Sequence, residues 1–158
     1  MNNSIIPPAI GQVWPGQGGI YAGIAPARNG NAAYHLIIAD SDIDSLEWGP
    51  YDDESSATSL IDGLANTQAL LESGPTHPAA QAAAAYAADG HTDFYLPAAA
   101  ELYEAWLNLD DRPWGWTWSS SQRTTSSALC LNFADGTQSL SGKSYARSVR
   151  PVRKVPIQ

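Results

Sequence analysis

Two short, mostly apolar runs lie near the start of this chain. Residues 20–24 and 34–39 are mostly apolar, and the turn-forming pair Asn29-Gly30 lies between them. Such a pair between two apolar runs is a strong hairpin signal. We therefore expect two antiparallel strands in the N-terminal part of the chain.

The middle of the chain has the pattern of a helix rich in alanine. Residues 79–89 contain eight alanines, preceded by Thr76 and Pro78 and followed by Gly90. These residues fit an N-cap, a proline in the first turn and a glycine after the last turn. The pattern predicts a helix that ends at Gly90.

A second helix is predicted from Pro97 to Leu109. Leu102, Trp106 and Leu109 recur at helical spacing and predict a buried stripe. Glu101 and Glu104 are then expected on or beside the exposed side of this helix. A weaker pattern near residues 60–71 is compatible with a short additional helix.

From Trp114 onward the period changes to two, which predicts strands. Trp114, Trp116 and Trp118 alternate along the first of them. Further strands are predicted over residues 128–133, 138–140 and 145–152, with turns at Asp135-Gly136 and at residues 141–143. The whole pattern predicts an α+β fold with an N-terminal hairpin, two helices and a C-terminal antiparallel meander.

The length of 158 residues suits one domain, since domains cluster at about 100–150 residues. No internal repeat or flexible linker divides residues 1–158, so we expect a single domain. The single cysteine, Cys130, excludes an internal disulfide and a metal site built from several thiolates. Its place in an alternating run predicts a small buried apolar residue.

Charge is distributed unevenly along the chain. Residues 1–111 hold 15 of the 16 acidic residues and one base, Arg28, whereas residues 112–158 hold seven bases against Asp135. Two interpretations stay open, namely local neutralisation within one domain and a molecule with an acidic and a basic side. The net charge of −8 makes nucleic-acid binding a poor expectation.

Residues 40–54 hold seven acidic residues and are expected to form a long surface loop. Asp40, Asp42 and Asp44 stand at alternate positions, as at the start of a calcium loop. Ser45 and Tyr51 occupy the places where an EF-hand needs glycine and glutamate. A solvated acidic loop is the default interpretation, and calcium at the three aspartates is kept as a weak alternative; otherwise no cofactor is expected.

We expect no export signal at the N-terminus of the sequence. Its first eight residues contain two prolines and no basic residue, unlike a signal peptide. The longest apolar stretch, residues 79–88, is shorter than the roughly 20 residues that cross a bilayer. We expect no membrane insertion.

A group of motifs resembles the DUF1566 family, also called the Lcl C-terminal domain family. The resemblance covers a core of residues 60–155, which follows an N-terminal hairpin and acidic loop in residues 1–59. The motifs occur in this order: Asp93–Pro97, Glu101-Leu102, Trp118–Ser121, Asn132–Gly136 and Val149–Arg153. Ala98 departs from the family pattern, where a serine commonly caps the helix. Gly18–Gly23 ahead of Tyr34–Ile37 resembles a phage or prophage member.

The resemblance implies a fold related to C-type lectins and formylglycine-generating enzymes. It further implies two helices, a mixed sheet, neighbouring termini and loops that present a ligand surface. Relatives include phage and bacterial surface proteins that bind other macromolecules. Fold similarity alone does not establish function.

Enzymatic chemistry has little support in the residues. The formylglycine-generating branch of this fold uses paired cysteines for oxidation, and this chain has Cys130 alone. No nucleophile elbow frames a serine, and Ser119–Ser121 are expected to satisfy backbone groups at a strand end. His35, His77 and His91 do not share a metal-ligand spacing on one helix. We therefore expect a protein that is not an enzyme.

Six residues near the C-terminus are the candidates for ligand binding. Trp114 follows Arg112-Pro113 and is expected to be the exposed tryptophan, offering a stacking surface. A polar loop follows the first C-terminal strand, with Arg123 as a hydrogen-bonding anchor. On the last strand Arg147 and Arg153 share one side and Arg150 takes the other, each a candidate for an ion pair with the acidic half. The full candidate set is Trp114, Trp116, Arg123, Thr124, Thr125 and Arg147.

Two functions of different classes fit these features. The first is a non-enzymatic module of a phage tail that recognises a protein or glycan on a host surface, with homo-oligomers or assembly with other tail proteins as a further expectation. The second is an inhibitor of a bacterial factor inside the host cell, with the acidic loop of residues 40–54 imitating nucleic acid or docking on a basic patch. The first predicts a protein in the virion, and the second predicts a protein in the host cytoplasm.

Overall fold

The computed structural model describes residues 5–109 and 112–158, and this part of the chain folds as α+β, as predicted. Its strands are β1 (Val13–Trp14), β2 (Gly19–Ala25), β3 (Tyr34–Ile38), β4 (Ser45–Glu47), β5 (Trp116–Gln122), β6 (Ser127–Asn132), β7 (Gln138–Gly142), β8 (Ala146–Ser148) and β9 (Val152–Pro156). Its helices are α1 (Gly63–Glu72), α2 (Pro78–Ala85) and α3 (Ala99–Asn108).

The first sheet has four strands in the order β1-β2-β3-β9. Its centre is the predicted hairpin, in which β2 and β3 are antiparallel and Ile20 lies opposite Ile38. Asn29 and Gly30 both have positive φ angles, 50° and 82°, as a two-residue hairpin turn requires. Strand β9 then pairs with β3 over five residues, so the end of the chain completes the N-terminal sheet.

The second sheet has five strands in the order β4-β8-β5-β6-β7. The predicted meander is confirmed for β5, β6 and β7, which are consecutive and antiparallel. Strand β8 does not continue beside β7. It returns to the other side of β5, pairs parallel to it at Thr117 and Ser148, and pairs antiparallel to β4.

The predicted last strand over residues 145–152 is wrong as one element. Its first part is β8 in the five-stranded sheet, and its end begins β9 in the four-stranded sheet. Pro151 lies at the crossing and has no N–H for a ladder. The backbone there bonds loop residues instead, because Ala39 N donates to Pro151 O at 2.9 Å.

The structure has three helices in its described residues, one more than the predicted fold contains. The weak pattern near residues 60–71 corresponds to α1. Helix α2 ends at Ala85, four residues before the predicted end, because Asp89 and Gly90 take positive φ angles and form a turn bridged by Ala88 and His91. The N-cap of α2 is His77 rather than Thr76, and its side chain makes no capping hydrogen bond.

Helix α3 buries the predicted apolar stripe, with Leu102 1% exposed and Leu109 0% exposed, while Trp106 is partly buried. The prediction that Glu101 lies on or beside the exposed side is wrong, since Glu101 is only 1% exposed. Its carboxylate accepts hydrogen bonds from the hydroxyls of Tyr34 and Tyr95. These donors replace the water that the carboxylate loses on burial.

The core contains two main apolar clusters. One joins α3 to the four-stranded sheet and β6, and the other joins α1 and α2 to Trp48 and Trp118. Trp48 is 0% exposed, so the prediction of a surface loop over residues 40–54 fails at this residue and at β4. None of the described helices is both long and apolar enough to cross a membrane.

Candidate functional site

Three loops meet at one end of the five-stranded sheet. They cover residues 50–54, the β5–β6 turn and the β7–β8 turn. The hydroxyl of Thr125 donates to Asp52 Oδ1 at 3.3 Å, and Lys143 N donates to Ser126 O at 2.9 Å. We call the outer side of these loops, with the start of β8, the loop surface: Tyr51, Asp52, Arg123, Thr124, Thr125, Tyr145 and Arg147.

Two tyrosines are the most exposed aromatic side chains of the loop surface. Tyr51 and Tyr145 are each 63% exposed, and the guanidinium carbon of Arg147 lies 5.8 Å from the ring centroid of Tyr145. Arg123, Thr124 and Thr125 are also exposed. A rigid aromatic ring beside hydroxyl and guanidinium donors is a composition that suits contact with another macromolecule.

The loop surface rests on a buried lysine. Lys143 is 0% exposed, its Nζ donates to Asp53 O at 2.5 Å and to Gln122 Oε1 at 2.7 Å, and it lies 4.9 Å from the Trp48 ring. Burial lowers the pKa of Lys143, while the nearby carboxylates of Asp53 and Glu54 act in the opposite direction. The lysine thereby ties the acidic loop to the end of β5.

Gln122 is the second part of this base. Its Oε1 accepts from the backbone N–H and the hydroxyl of Ser55, both at 2.9 Å, in addition to Lys143. Its Nε2 donates to Glu54 Oε1 at 3.0 Å. Because one buried amide connects two loops, the backbone beneath the loop surface is fixed before any partner binds, which lowers the entropy cost of binding.

Four of the six predicted site residues lie on the loop surface: Arg123, Thr124, Thr125 and Arg147. Trp114 and Trp116 lie at the end of β5 opposite to Arg123, Thr124 and Thr125, up to about 20 Å away by strand length. Trp116 is half-buried and packs against the cluster around Trp48 and Trp118. The structure therefore separates the predicted residues into two groups.

The prediction of an exposed Trp114 is wrong. Its ring is half-buried, with the guanidinium carbon of Arg150 3.5 Å from its centroid and the Phe133 ring at 5.0 Å. Arg150 is only 6% exposed, and burial lowers its pKa. A cation and an aromatic ring already cover Trp114, so it offers no open stacking surface.

The three arginines of the predicted last strand do different things. Arg153 is confirmed in an ion pair with the acidic half, since its Nε lies 2.7 Å from Asp93 Oδ1. Arg150 donates to Ala39 O at 3.2 Å, and Arg147 Nε donates to the hydroxyl of Ser141 at 3.2 Å. Of the three arginines, Arg153 forms an ion pair with Asp93 of the acidic half, and Arg147 lies on the loop surface.

Asp40, Asp42 and Asp44 are exposed. Asp42 Oδ2 accepts from the hydroxyl of Ser148 at 3.2 Å, and Asp44 Oδ1 accepts from Ser45 N at 2.8 Å. Within residues 5–109 and 112–158, no three side chains of His, Cys, Asp or Glu are grouped so that they could hold a metal ion.

Other predicted roles are confirmed by the contacts. Cys130 is 2% exposed and packs in the cluster around Trp48 and Trp118; burial raises the pKa of its thiol. The hydroxyl of Ser119 donates to Leu129 O at 2.6 Å, and that of Ser121 donates to Ser59 O at 2.8 Å. Ser119 and Ser121 thus satisfy backbone groups, whereas the hydroxyl of Ser120 accepts from Asn66 Nδ2 at 3.1 Å.

Five residues of the loop surface and its base were not predicted as site residues: Tyr51, Asp52, Tyr145, Gln122 and Lys143. A usable signal existed for the tyrosines, because each stands beside turn-forming residues, Pro50 in one case and Gly142-Lys143-Ser144 in the other. An aromatic residue in a turn has little apolar surface to pack against. Lys143 gave no signal, because a lysine in a turn is ordinarily exposed.

No protein-family model matches this chain, and no curated protein matches it either. The loop surface and its base therefore carry the functional argument.

Proposed function

We propose that this protein is a non-enzymatic binding module of C-type-lectin-like fold, encoded by a phage or prophage. It recognises a protein or glycan on a host surface as part of a tail structure. The observation that carries the proposal is the loop surface, where two exposed tyrosines lie with Arg123 and Arg147 over a buried base. The resemblance to the DUF1566 family supports the class.

The chemistry of the loop surface fits a polar macromolecular ligand. Tyr51 and Tyr145 present rings that can stack on a sugar or a peptide side chain while their hydroxyls hydrogen-bond. Arg123 presents a planar group of donors for a carboxylate or carbonyl oxygen. Because Lys143 and Gln122 hold the loops from below, these groups lose little freedom when they bind.

Binding to intact host bacteria tests the proposal. Labelled protein should bind saturably, and Tyr145→Ala or Arg123→Ala should weaken binding at least about tenfold, the loss of about 1.4 kcal/mol expected for an interface anchor. Leu107→Ala is the control, because Leu107 is 49% exposed on α3 and outside the loop surface. Equal binding by all three variants would place the site elsewhere.

A second candidate is an inhibitor that acts inside the host cell. The observation that favours it is the exposure of the seven acidic side chains of residues 40–54: Asp40, Asp42, Asp44, Glu47, Asp52, Asp53 and Glu54. Exposed carboxylates at this density would attract a basic partner. Detection in purified virions supports the first candidate, whereas absence from virions together with a captured cytosolic partner supports the second.

A further inference from the structure

Strand β7 is a free edge of the five-stranded sheet. Its residues Gln138 to Leu140 are exposed, and the strand contains neither a charged residue nor a proline. Proteins usually protect such an edge with charge, proline, a bulge or a covering segment. The other edges described here are better protected, because β1 and β4 have only two and three residues and Tyr95 bridges β9 at Val152.

The register of β7 directs alternate backbone groups outward. Asn132 N donates to Thr137 O at 2.8 Å, and Lys143 N donates to Ser126 O at 2.9 Å, which fixes the hydrogen-bonded pairs with β6. Gln138, Leu140 and Gly142 are in the alternate pairs, so their N–H and C=O groups point away from β6. The Leu140 carbonyl has one contact, from the Ser139 hydroxyl at 3.3 Å.

An apolar groove accompanies this edge. It has a volume of about 530 Å³ and lies between α3 and the sheet. Leu60, Tyr103 and Leu140 line it and are 43%, 37% and 53% exposed, with Arg123 at its rim. Exposed apolar side chains beside free backbone groups are a surface for another strand.

We propose that β7 pairs antiparallel with β7 of a second copy of this chain, forming a dimer with one continuous sheet. An antiparallel pair centred on Leu140 places Leu140 opposite itself and Gln138 opposite Gly142 of the other copy. Gln138 and Leu140 offer outward N–H and C=O groups, and Gly142 offers its outward N–H, whereas the Gly142 carbonyl accepts from Tyr145 N at 3.0 Å. The edge therefore complements itself through the two Leu140 residues and through Gly142 N with Gln138 O. Directly opposite side chains lie on the same side of a sheet, which joins the two apolar grooves.

Charge favours the second copy over an unrelated strand. Asp135 is exposed beyond the Gln138 end of β7, and Arg123 is exposed at the Gly142 end. Antiparallel pairing brings Arg123 of one copy near Asp135 of the other copy, and the two-fold symmetry repeats this contact at the other end of the interface. A two-fold interface of this kind is the commonest form of homo-oligomer. Both proposals use Arg123, so Leu140→Lys separates them: it should abolish the dimer while a monomer still binds the ligand through the loop surface.

Disulfide trapping tests this register. After oxidation with copper phenanthroline, Leu140→Cys should give a covalent dimer on a non-reducing gel, because opposite Cα atoms about 5.5 Å apart lie within disulfide reach. Leu107→Cys, at a leucine 49% exposed on α3, is the matched control and should stay monomeric. The native Cys130 is buried and should not react. A dimer from Leu107→Cys but not from Leu140→Cys would overturn the proposal.

Sedimentation equilibrium tests the association of the unmodified chain. The wild type should show a reversible monomer–dimer equilibrium, Leu140→Lys should abolish it, and Leu107→Lys should not. If Leu140→Lys fails to fold, Gln138→Pro serves instead, since it removes an outward N–H without breaking the β6 ladder. Arg123→Glu and Asp135→Arg should each weaken the dimer, and their combination should restore it. A wild type that stays monomeric up to about 1 mM would overturn the proposal.

Discussion

Glu101 shows how one buried side chain can organise several parts of this molecule. Oε2 accepts from the hydroxyls of Tyr34 and Tyr95, and Oε1 accepts from Gly63 N at 3.0 Å and Ala98 N at 3.1 Å. The donors come from β3, α1, the segment before α3 and its N-cap. Burial raises the pKa of Glu101 despite these bonds. The carboxyl therefore holds the starts of two helices against the first sheet.

Replacing Glu101 separates hydrogen bonding from charge. Glu101→Leu leaves two buried N–H groups without an acceptor, and each should cost about 1–3 kcal/mol of unfolding free energy. Glu101→Gln should cost much less, because its carbonyl can serve the two N–H groups and its amide can donate to the tyrosine hydroxyls. Urea unfolding followed by tryptophan fluorescence measures both variants. Equal losses in the two variants would contradict this account.

The raised pKa of Glu101 also predicts a pH effect. A carboxyl with a higher pKa in the folded state holds its proton longer there, so its contribution to stability is present below the unfolded pKa. That contribution is lost as pH rises through the folded pKa. The unfolding free energy of the wild type should fall relative to Glu101→Gln as pH rises above about 4.5. A difference independent of pH would contradict the assignment.

Lys143 offers a test of the base beneath the loop surface. Lys143→Met keeps the apolar stem near Trp48 but removes the bonds to Asp53 O and Gln122 Oε1. We expect a folded protein destabilised by about 1–3 kcal/mol, with faster hydrogen exchange at residues 53–55. Lys154→Met, at a half-buried lysine of β9, is the matched control. Unchanged exchange at residues 53–55 would show that Lys143 does not hold the loop.

Among the elements, α3 begins at the N-cap Ala98, whose side chain makes no capping hydrogen bond. Alanine has no side-chain oxygen that could accept a hydrogen bond, yet the first N–H groups of the helix are satisfied by other parts of the chain. Ala99 N donates to Ser121 Oγ at 3.0 Å, and Ala100 N donates to Leu60 O at 2.8 Å. Strand β5 thus supplies the cap through space, which no local pattern could predict.

Removal of this through-space cap should destabilise the protein. Ser121→Ala leaves the buried N–H of Ala99 without its acceptor and should lower the unfolding free energy by about 1–2 kcal/mol. Ser41→Ala is the control, because Ser41 is exposed in the acidic loop. Thermal unfolding measured by circular dichroism compares the two. A melting temperature unchanged by Ser121→Ala would show that water replaces the hydroxyl.

Elements set by local chemistry could be predicted, and those set by distant contacts could not. The Asn29-Gly30 hairpin follows from a two-residue turn, and α3 follows from its apolar spacing. The end of α2 was misplaced because Asp89-Gly90 resembles a helix stop but forms a turn in which Asp89 accepts from Gly18 N at 2.9 Å. Strands β8 and β9 were predicted as one strand because the break between them depends on distant partners: β8 pairs with β4, and β9 pairs with β3.

At the scale of the whole molecule, the two charge patterns are partly neutralised within one fold. Arg153 pairs with Asp93, and Lys143 is buried beside the carboxylates of Asp53 and Glu54. The seven acidic side chains of residues 40–54 nevertheless remain exposed. Local neutralisation therefore accounts for Arg153 and Lys143, whereas the acidic loop keeps an outward negative field.

The site could be predicted in part because loops at one end of a sheet come together. Arg123, Thr124 and Thr125 share one turn, so their common location followed from the strand pattern. Tyr51 belongs to a segment about 70 residues earlier, and its place depends on Lys143 and Gln122, whose burial has no local signal. Trp114 was misassigned because Arg150, a distant residue, covers its ring.

His77 connects the acidic loop, α2 and the second cluster, so its protonation should affect the whole fold. It is 2% exposed, and its ring meets the Trp48 ring edge-on at 5.7 Å. Burial lowers its pKa, and Lys143 acts in the same direction while Asp53 opposes them. Protonation would place a cation beside Lys143 in an apolar setting.

Stability should therefore decline as the solution is acidified. The folded pKa of His77 lies below the unfolded value of about 6.5, so between these two pKa values the unfolded state binds more protons than the folded state. The free energy of unfolding therefore decreases as the pH is lowered through this interval. His77→Phe should reduce this slope. Burial also lowers the pKa of His35. His35→Phe should therefore remove a separate part of the dependence of stability on pH, and the double variant should remove both parts. Urea titrations between about pH 7.5 and 5.0 measure the slopes, and an unchanged slope in the double variant would show that other groups control acid sensitivity.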